Sequence, residues 1–518
     1  MSEGTRSPIS TKKITLADDL PQLVLLICLY LLQGIPLGLA FGSIQFLLKQ
    51  NPNVSYSDLA LFSLASYPYS LKLFWSPVVD SIYFKSIGRR KSWIVPIQAI
   101  TGITLFILGS KIDGLLAQEV LPVRALAGSF FFIVLLCATQ DIAVDGWALT
   151  LLREENKAYA STGKSLEFSV SSVILSLTPE TLSANNRNEY NKYLRSTPSE
   201  LGLFQLGPYI QFWALAFLAC DLWLIFVQKE SPSHEPSGWH EIRIVYRQIF
   251  SIIMLPQMQR FIAVMMVAKL GFIASESVTG LKLLEKGFKK EDLALAVLID
   301  FPFEILFGYY AAKWSSGSRP LRPWLYAFYG RLASALLAMV LVALVPASGI
   351  TTTFFVIVMA STVLGSFMST VQFVGMGSFF TRISDPSIGG TYMTLLNTVS
   401  NFGGTWPRYF ILNAVDYFTD STCSETDSGN STIHCSSEPS KALCKTMNGT
   451  CQTRVDGYYV VGLTMFVIGV VCLLTLVKPV ILNIESLPDR NWRVVKFKED
   501  DDGDNNRYGD ENVRLIDQ

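Results

Sequence analysis

The sequence predicts an all-α polytopic membrane protein with twelve transmembrane helices in two six-helix bundles. Three observations lead there. Half of the 518 residues are hydrophobic and only 16% are charged, against about a quarter charged in soluble domains. The apolar residues gather into blocks of about 20, the length a helix needs to cross a bilayer. The blocks fall into a first group, a polar linker and a second group of the same size, the outline of a bundle built twice.

The expected spans are 21–48, 57–79, 92–109, 122–151, 158–178 and 206–228, then 257–280, 292–312, 321–346, 351–379, 387–412 and 456–478. Each satisfies its own backbone as a helix, which hydrocarbon demands of a single crossing segment. The first block, "LVLLICLYLLQGIPLGLAFGSIQFLL", has no basic leader and no small-residue cleavage site, so it reads as a retained span. Residues 1–20 form a polar arm, assigned to the cytosol, ahead of a first bundle at 21–228. The linker 229–256, which opens "KESPSHEPSGWHEIRIVYRQIF", is expected to end in an interfacial helix. A second bundle covers 257–480 and includes a polar loop at 413–455; the acidic tail 481–518 reads as disordered and cytosolic. Helix-breaking residues gather in span one (Gly34, Pro36, Gly38, Gly42), span two (Pro68, Pro77) and span eleven (Gly403, Gly404, Pro407). Irregular backbone at membrane depth must be buried or line a cavity.

Orientation rests on two signals. With the amino terminus cytosolic, the even-numbered connections hold Lys85, Arg89, Arg90, Lys91, Arg153, Lys157, Arg243, Arg247, Arg319 and Arg322, the positive-inside pattern. The connection "GLKLLEKGFKKED" opposes it with lysines on the other side. The loop 413–455 carries Cys423, Cys435, Cys444 and Cys451 with glycosylation sequons at Asn430 and Asn448, and Asn53 offers another sequon on the same side. Clustered cysteines in a polar loop fit an oxidising compartment and two disulfides, whose pairing the spacing does not fix. Cys28, Cys137, Cys220 and Cys472 lie in spans, as small packing residues.

The chemistry-bearing residues argue against an enzyme. The only histidines, His234, His240 and His434, lie in loops. There is no HExxH, no clustered metal-ligand set and no Walker A motif, so no catalytic residue, metal or cofactor is expected. A net charge of zero gives no reason to expect nucleic acid as a partner; the lipid bilayer is the expected environment. Ionisable residues inside spans must face a bundle interior, a cavity or a partner. Asp141 and Asp145 are spaced i,i+4 on one face of span four. With Asp80, Arg89, Arg90 and Glu167 they are the candidates for gating or coupling. Candidates for lining a solute path are Tyr67, Tyr69, Lys72, Trp75, Lys164, Lys269, Tyr392, Asn397, Trp406 and Arg408. Aromatic rings can stack on a base, and Lys or Arg can hold phosphate by charge-assisted hydrogen bonds.

The stretches "LLQGIPLGLA", "YPYSLKLFWSPVVDSIY", "GRRKSWIVP", "ATQDIAVDGWALT", "YAST", "TGLKLLEKG", "GGTYMTLLNTVSNFGG" and "DGYY" resemble the acetyl-coenzyme A transporter family within the major facilitator superfamily. They run from span one to span twelve. The resemblance implies a major facilitator fold and import of acetyl-coenzyme A from the cytosol into the lumen of the endoplasmic reticulum by alternating access. Luminal acetyltransferases would be the downstream users, and both termini would be cytosolic. Exchange for coenzyme A, uniport and proton coupling through Asp141 all stay open, as does a homodimer. The departure from the family pattern is "GKSLEFSVSSVILSLTPE", where Lys164 and Glu167 put charge into span five. Competing readings are a facilitator of another organic anion or nucleotide, and a membrane-bound acetyltransferase.

Overall fold

The computed structural model describes residues 20–492 apart from 52, 119, 152–205, 231–237, 289, 316–318, 347–348, 385–388, 425–434, 436–443, 445 and 447–449. Span five, with Lys164 and Glu167, and the sequons at Asn430 and Asn448 lie outside the described residues. Among the described residues, eight helices are long and apolar enough to cross a membrane, beginning with Leu20–Lys49 and ending with Gly457–Ser486.

The first span is α1 (Leu20–Gly38), a π-helical turn (Leu39–Ser43) and α2 (Ile44–Gln50). Pro36 and the widened turn interrupt the regular α-helix where the glycines gather, so the expected irregularity is present. The second expected span is the most broken. It runs as α3 (Tyr56–Ser63), a 3₁₀ turn (Leu64–Ser66), α4 (Tyr67–Leu71), a second 3₁₀ turn (Lys72–Phe74) and α5 (Ser76–Ser81). Pro68 and Pro77 open α4 and α5, where a missing N–H costs least. Next come α6 (Lys91–Leu116), α7 (Val123–Leu151) and α8 (Leu206–Phe226). The linker folds into α9 (Trp239–Ile253), entered through Gly238 at φ +135°.

Two features of the second group differ from expectation. The seventh span divides at Lys269 into α10 (Pro256–Ala268) and α11 (Leu270–Glu285). The eleventh, α15 (Gly389–Phe418), runs unbroken through Gly403, Gly404 and Pro407. Its glycines serve close packing instead. A Cβ on Gly403 would stand 2.1 Å from the Met265 carbonyl oxygen, and one on Gly404 would stand 2.7 Å from Cδ of Lys269. Between them lie α12 (Lys290–Ser315), α13 (Leu321–Ala343) and α14 (Thr352–Ile383). An antiparallel hairpin of β1 (Asp420–Ser424) and β2 (Thr450–Val455) precedes α16 (Gly457–Cys472), a π turn (Leu473–Val477) and α17 (Lys478–Ser486). The loop cysteines pair Cys423–Cys444 and Cys435–Cys451.

The molecule has a hairpin end, where the β-strands lie, and a linker end, where α9 lies. α6 packs along α8, and α7 touches α1, α3, α4, α5 and α6. In the second group α14 packs on α12 and α13, and α11 on α13, α15 and α16. α15 lies against α3 and α4, and α11 meets α2. The apolar core differs between the ends. Near the hairpin end one cluster joins both groups, with Ile44, Leu59 and Phe130 in the same core as Leu281, Ile411 and Tyr458. Toward the linker end it divides. Leu29, Ile94, Trp147 and Leu224 form one cluster, and Phe261, Phe328, Phe379 and Trp492 belong to another. The two groups share one core at the hairpin end and have largely separate cores at the linker end, where Leu73 of span two joins the second group's cluster.

Candidate functional site

The first polar cluster forms around the break in span two. The 3₁₀ turn there aims Lys72, only 5% exposed, at Asp141 on α7, which is fully buried. Their side chains form an ion pair. Gln33 Nε2 of α1 donates to Asp141 Oδ1 at 2.9 Å. Lys72 Nζ lies 4.0 Å from Asp145 Oδ2, and the Tyr30 hydroxyl donates to Asp145 Oδ1 at 2.9 Å. The ammonium also stands 4.8 Å from the centre of the Tyr69 ring. A cation out of water thus has a carboxylate on one side and an aromatic face on the other, and Asp141 has two donors. Trp75, beside this turn, donates from Nε1 to Thr139 Oγ1 of α7 at 3.1 Å, so it faces the helix bundle.

The second cluster lies in the other group of helices and has a different charge balance. Lys269 at the α10–α11 break, Arg331 on α13 and Arg408 on α15 are within electrostatic reach of one another or of Glu276 on α11. Arg331 pairs with Glu276, donates to Gln372 Oε1 at 2.6 Å and lies 3.8 Å above the Phe272 ring. Among the described residues neither Lys269 nor Arg408 forms an ion pair, and the buried Nε of Arg408 has no hydrogen-bond partner. Three cations therefore share one carboxylate. Asn397, exposed, and Arg408 recur with Asn401 and Gly404 along one stripe of α15, at the helical spacings of three and four. Gly404 gives Lys269 its room, and Trp406 Nε1 donates to the Met266 carbonyl at 3.1 Å.

The two clusters meet across the α4–α15 contact. The Tyr67 hydroxyl donates to the Trp406 carbonyl at 3.2 Å, and Ser70 and Thr405 share a hydrogen bond of 2.6 Å. Tyr67, Tyr69, Lys72 and Trp75 on one side, and Lys269, Asn397, Trp406 and Arg408 on the other, thus belong to these facing elements. Tyr392 does not join them. It is fully buried in the second group's linker-end core, with its hydroxyl donating to the Trp492 carbonyl at 2.9 Å. Gln33, Tyr30 and Glu276 complete the clusters. Glu276 is flagged in sequence by its charge, whereas an uncharged Gln or Tyr in a span gives no such signal.

The linker end of the first group carries a clasp. Arg90 pairs with Asp80 at 2.6 Å, and Arg89 Nε donates to the Asp80 carbonyl at 3.0 Å. Glu230, just after α8, accepts from the backbone N–H groups of Arg90 and Lys91 at 3.0 and 2.8 Å, capping α6. Gly88, at φ +110°, is required here, because a Cβ would stand 2.4 Å from the Glu230 carboxylate. Gly146, the residue after Asp145, similarly makes room for the Arg90 guanidinium.

At the hairpin end a network ties the groups together. Lys49 pairs with Glu285 at 2.7 Å, and Lys282 with Glu285 at 2.8 Å and Asp456 at 3.0 Å. Both ammoniums lie over the Tyr56 ring, at 4.1 and 5.1 Å. Ser57 donates to Asp416 at 2.6 Å. Lys282, one of the lysines that oppose the positive-inside pattern, is 4% exposed and neutralised within this network. Asn53 is exposed at the same end.

The arrangement is that of a membrane transporter with the major facilitator fold. A nucleoside transporter of known structure superposes with a TM-score of 0.56 at 12% identity, covering 90% of this chain and 99% of that one. The family described as Acetyl-coenzyme A transporter 1 matches residues 22–238, 233–322 and 318–494, and the chain belongs to that family. It is a family of transporters, not of enzymes. An uncharacterized membrane protein of Saccharomyces cerevisiae is 40% identical over 549 aligned residues, covering 92% of this chain and 97% of that one. An uncharacterized protein of Schizosaccharomyces pombe is 40% identical over 475, covering 90% and 88%.

Proposed function

We propose that the protein carries acetyl-coenzyme A from the cytosol into the lumen of the endoplasmic reticulum, in exchange for coenzyme A. The observation that carries this reading is the excess of cations in the second group: Lys269, Arg331 and Arg408 against Glu276, with the Arg408 Nε unpartnered among the described residues. Buried positive charge is costly unless an anion completes it. A cargo with several phosphate charges does so by charge-assisted hydrogen bonds. Tyr67, Tyr69 and Trp406 offer aromatic surface beside these cations for the adenine ring.

In this reading the chain has twelve spans in two six-helix halves, 21–228 and 257–480, with both termini, the linker and the tail in the cytosol. The hairpin end faces the oxidising lumen, which supports the two disulfides and glycosylation at Asn53, Asn430 and Asn448. The largely divided core at the linker end supports a state open to the cytosol. Cargo enters there and neutralises Lys269 and Arg408. The Lys49–Glu285–Lys282–Asp456 network then separates as the Asp80–Arg90 side closes. Asp141 and Asp145 hold Lys72 and the α4–α5 break in place while α4 shifts against α15. Luminal acetyltransferases consume the delivered acetyl groups.

The test is calorimetric binding of acetyl-coenzyme A, coenzyme A and ATP to purified protein and to Arg408→Gln and Lys269→Gln. Wild type is expected to bind both coenzyme A compounds more tightly than ATP. Each substitution should weaken that binding by about 10- to 100-fold, the range for a lost hydrogen bond to a charged group. Equal affinity in wild type and both folded variants would sink the assignment. ATP binding as tightly as acetyl-coenzyme A would replace it with nucleotide transport.

A further inference from the structure

The linker helix α9 has two apolar faces, and only one of them packs on the bundle. Ile242, Ile249 and Ile252 are buried against it. Beside that face Trp239 is 79% and Phe250 60% exposed, with Met254 also exposed, and Arg243 and Arg247 stand among them one helical turn apart; Phe250 and both arginines border a cavity between the helix and the bundle. Large apolar side chains interleaved with cations mark a helix lying in the membrane interface. Among the described residues neither arginine has a carboxylate partner, although Glu241 is on the same helix.

Beneath this helix is a cavity of about 860 Å³, lined by both arginines and by Leu73, Ile249, Leu395 and Phe402. That volume lies in the range of about 300–1,000 Å³ typical of ligand cavities. Its walls are apolar apart from the arginines, the Tyr246 hydroxyl and Thr398. Among the described residues the buried Thr398 hydroxyl has no hydrogen-bond partner. Tyr246 donates to the Phe74 carbonyl, pinning α9 to the 3₁₀ turn that carries Lys72. The cavity wall therefore draws on the first group, the linker and the second group at once.

An occupant must match two paired cations at the mouth and a long apolar interior. Acetyl-coenzyme A matches the first but not the second, since its ribose and adenine need polar partners that this wall does not supply. We propose that α9 and the cavity beneath it bind an anionic glycerophospholipid, its phosphate bridged by Arg243 and Arg247 and one acyl chain lying against Leu73, Ile249, Leu395 and Phe402. Two guanidiniums spaced i,i+4 converge on one phosphate by charge-assisted hydrogen bonds, and an anionic leaflet concentrates such lipids at this depth. Because the cavity draws on both groups, the lipid favours the relative placement of the groups that forms this cavity. This site does not depend on the identity of the cargo.

The experiment is native mass spectrometry of the full-length purified protein exposed to equal amounts of phosphatidylserine and phosphatidylcholine. Wild type is expected to retain phosphatidylserine preferentially. Arg243→Gln with Arg247→Gln should reduce that preference by about 30-fold, the effect of losing two basic contacts to an anionic lipid. Replacement of both by Lys should keep most of it, which separates charge recognition from damage to the fold. Equal retention of the two lipids by wild type, or undiminished preference in the Gln variant, would overturn the proposal. So would displacement of the lipid by acetyl-coenzyme A with loss of acetyl-coenzyme A binding in the Gln variant, since the arginines would then belong to the cargo path.

Discussion

Lys72 and Asp141 illustrate how far a single residue can be read. A charge inside an apolar run stands out because its desolvation must be offset, so both were legible in sequence, as were Lys269 and Arg408. Their partners were not. Gln33 and Tyr30 are uncharged, and only the packing of α1 on α7 brings them to Asp141 and Asp145. The pair makes a sharp prediction. Lys72→Met takes the ammonium away from buried Asp141 and should lower stability by about 3–5 kcal/mol. Lys72→Met combined with Asp141→Asn should recover most of that loss. Thermal unfolding of wild type, both single variants and the double variant checks it; additive effects would mean the two side chains do not interact. Tyr392 shows the opposite error: an aromatic residue in a conspicuous motif suggested a path-lining role, and burial against Trp492 puts it in the core.

At the scale of elements, composition located most helices among the described residues, but only some of their irregularities. Pro68 and Pro77 mark real helix starts, because a missing N–H is a local property of the chain. The division at Lys269 has no such local marker within α10, and Pro407 sits inside a continuous helix. The Gly403–Gly404 pair is explained by its neighbour, α10, and so could not be interpreted from its own segment. Gly403→Ala would force α15 away from the Met265 carbonyl and should cost about 1–3 kcal/mol. Gly377→Ala on α14, where nothing lies within 4 Å, should leave the melting temperature nearly unchanged. Equal effects at both sites would remove the close-packing account. In the hairpin loop, four cysteines allowed three pairings by count alone. Non-reducing peptide mapping should recover Cys423–Cys444 and Cys435–Cys451, and any other pairing would contradict the hairpin.

For the whole molecule, the repeat of apolar blocks gave the outline, while the asymmetry between the two ends required tertiary structure. No sequence pattern announces that Lys49, Glu285, Lys282 and Asp456 meet around Tyr56. If that network holds the hairpin end shut, Glu285→Gln should raise the population open at that end by at least about fivefold. Spin labels at Asn53 and Tyr417, both exposed, should then report a second, longer distance; an unchanged distribution would remove the network from the gating account. The central claim concerns the cargo, and uptake into liposomes tests it most directly. Purified protein is reconstituted with and without internal coenzyme A and supplied with acetyl-coenzyme A labelled separately in its acetyl and adenine parts. The account predicts that both labels accumulate equally and that internal coenzyme A accelerates their entry. Entry of the acetyl label alone, or of neither label with folded protein, would contradict it.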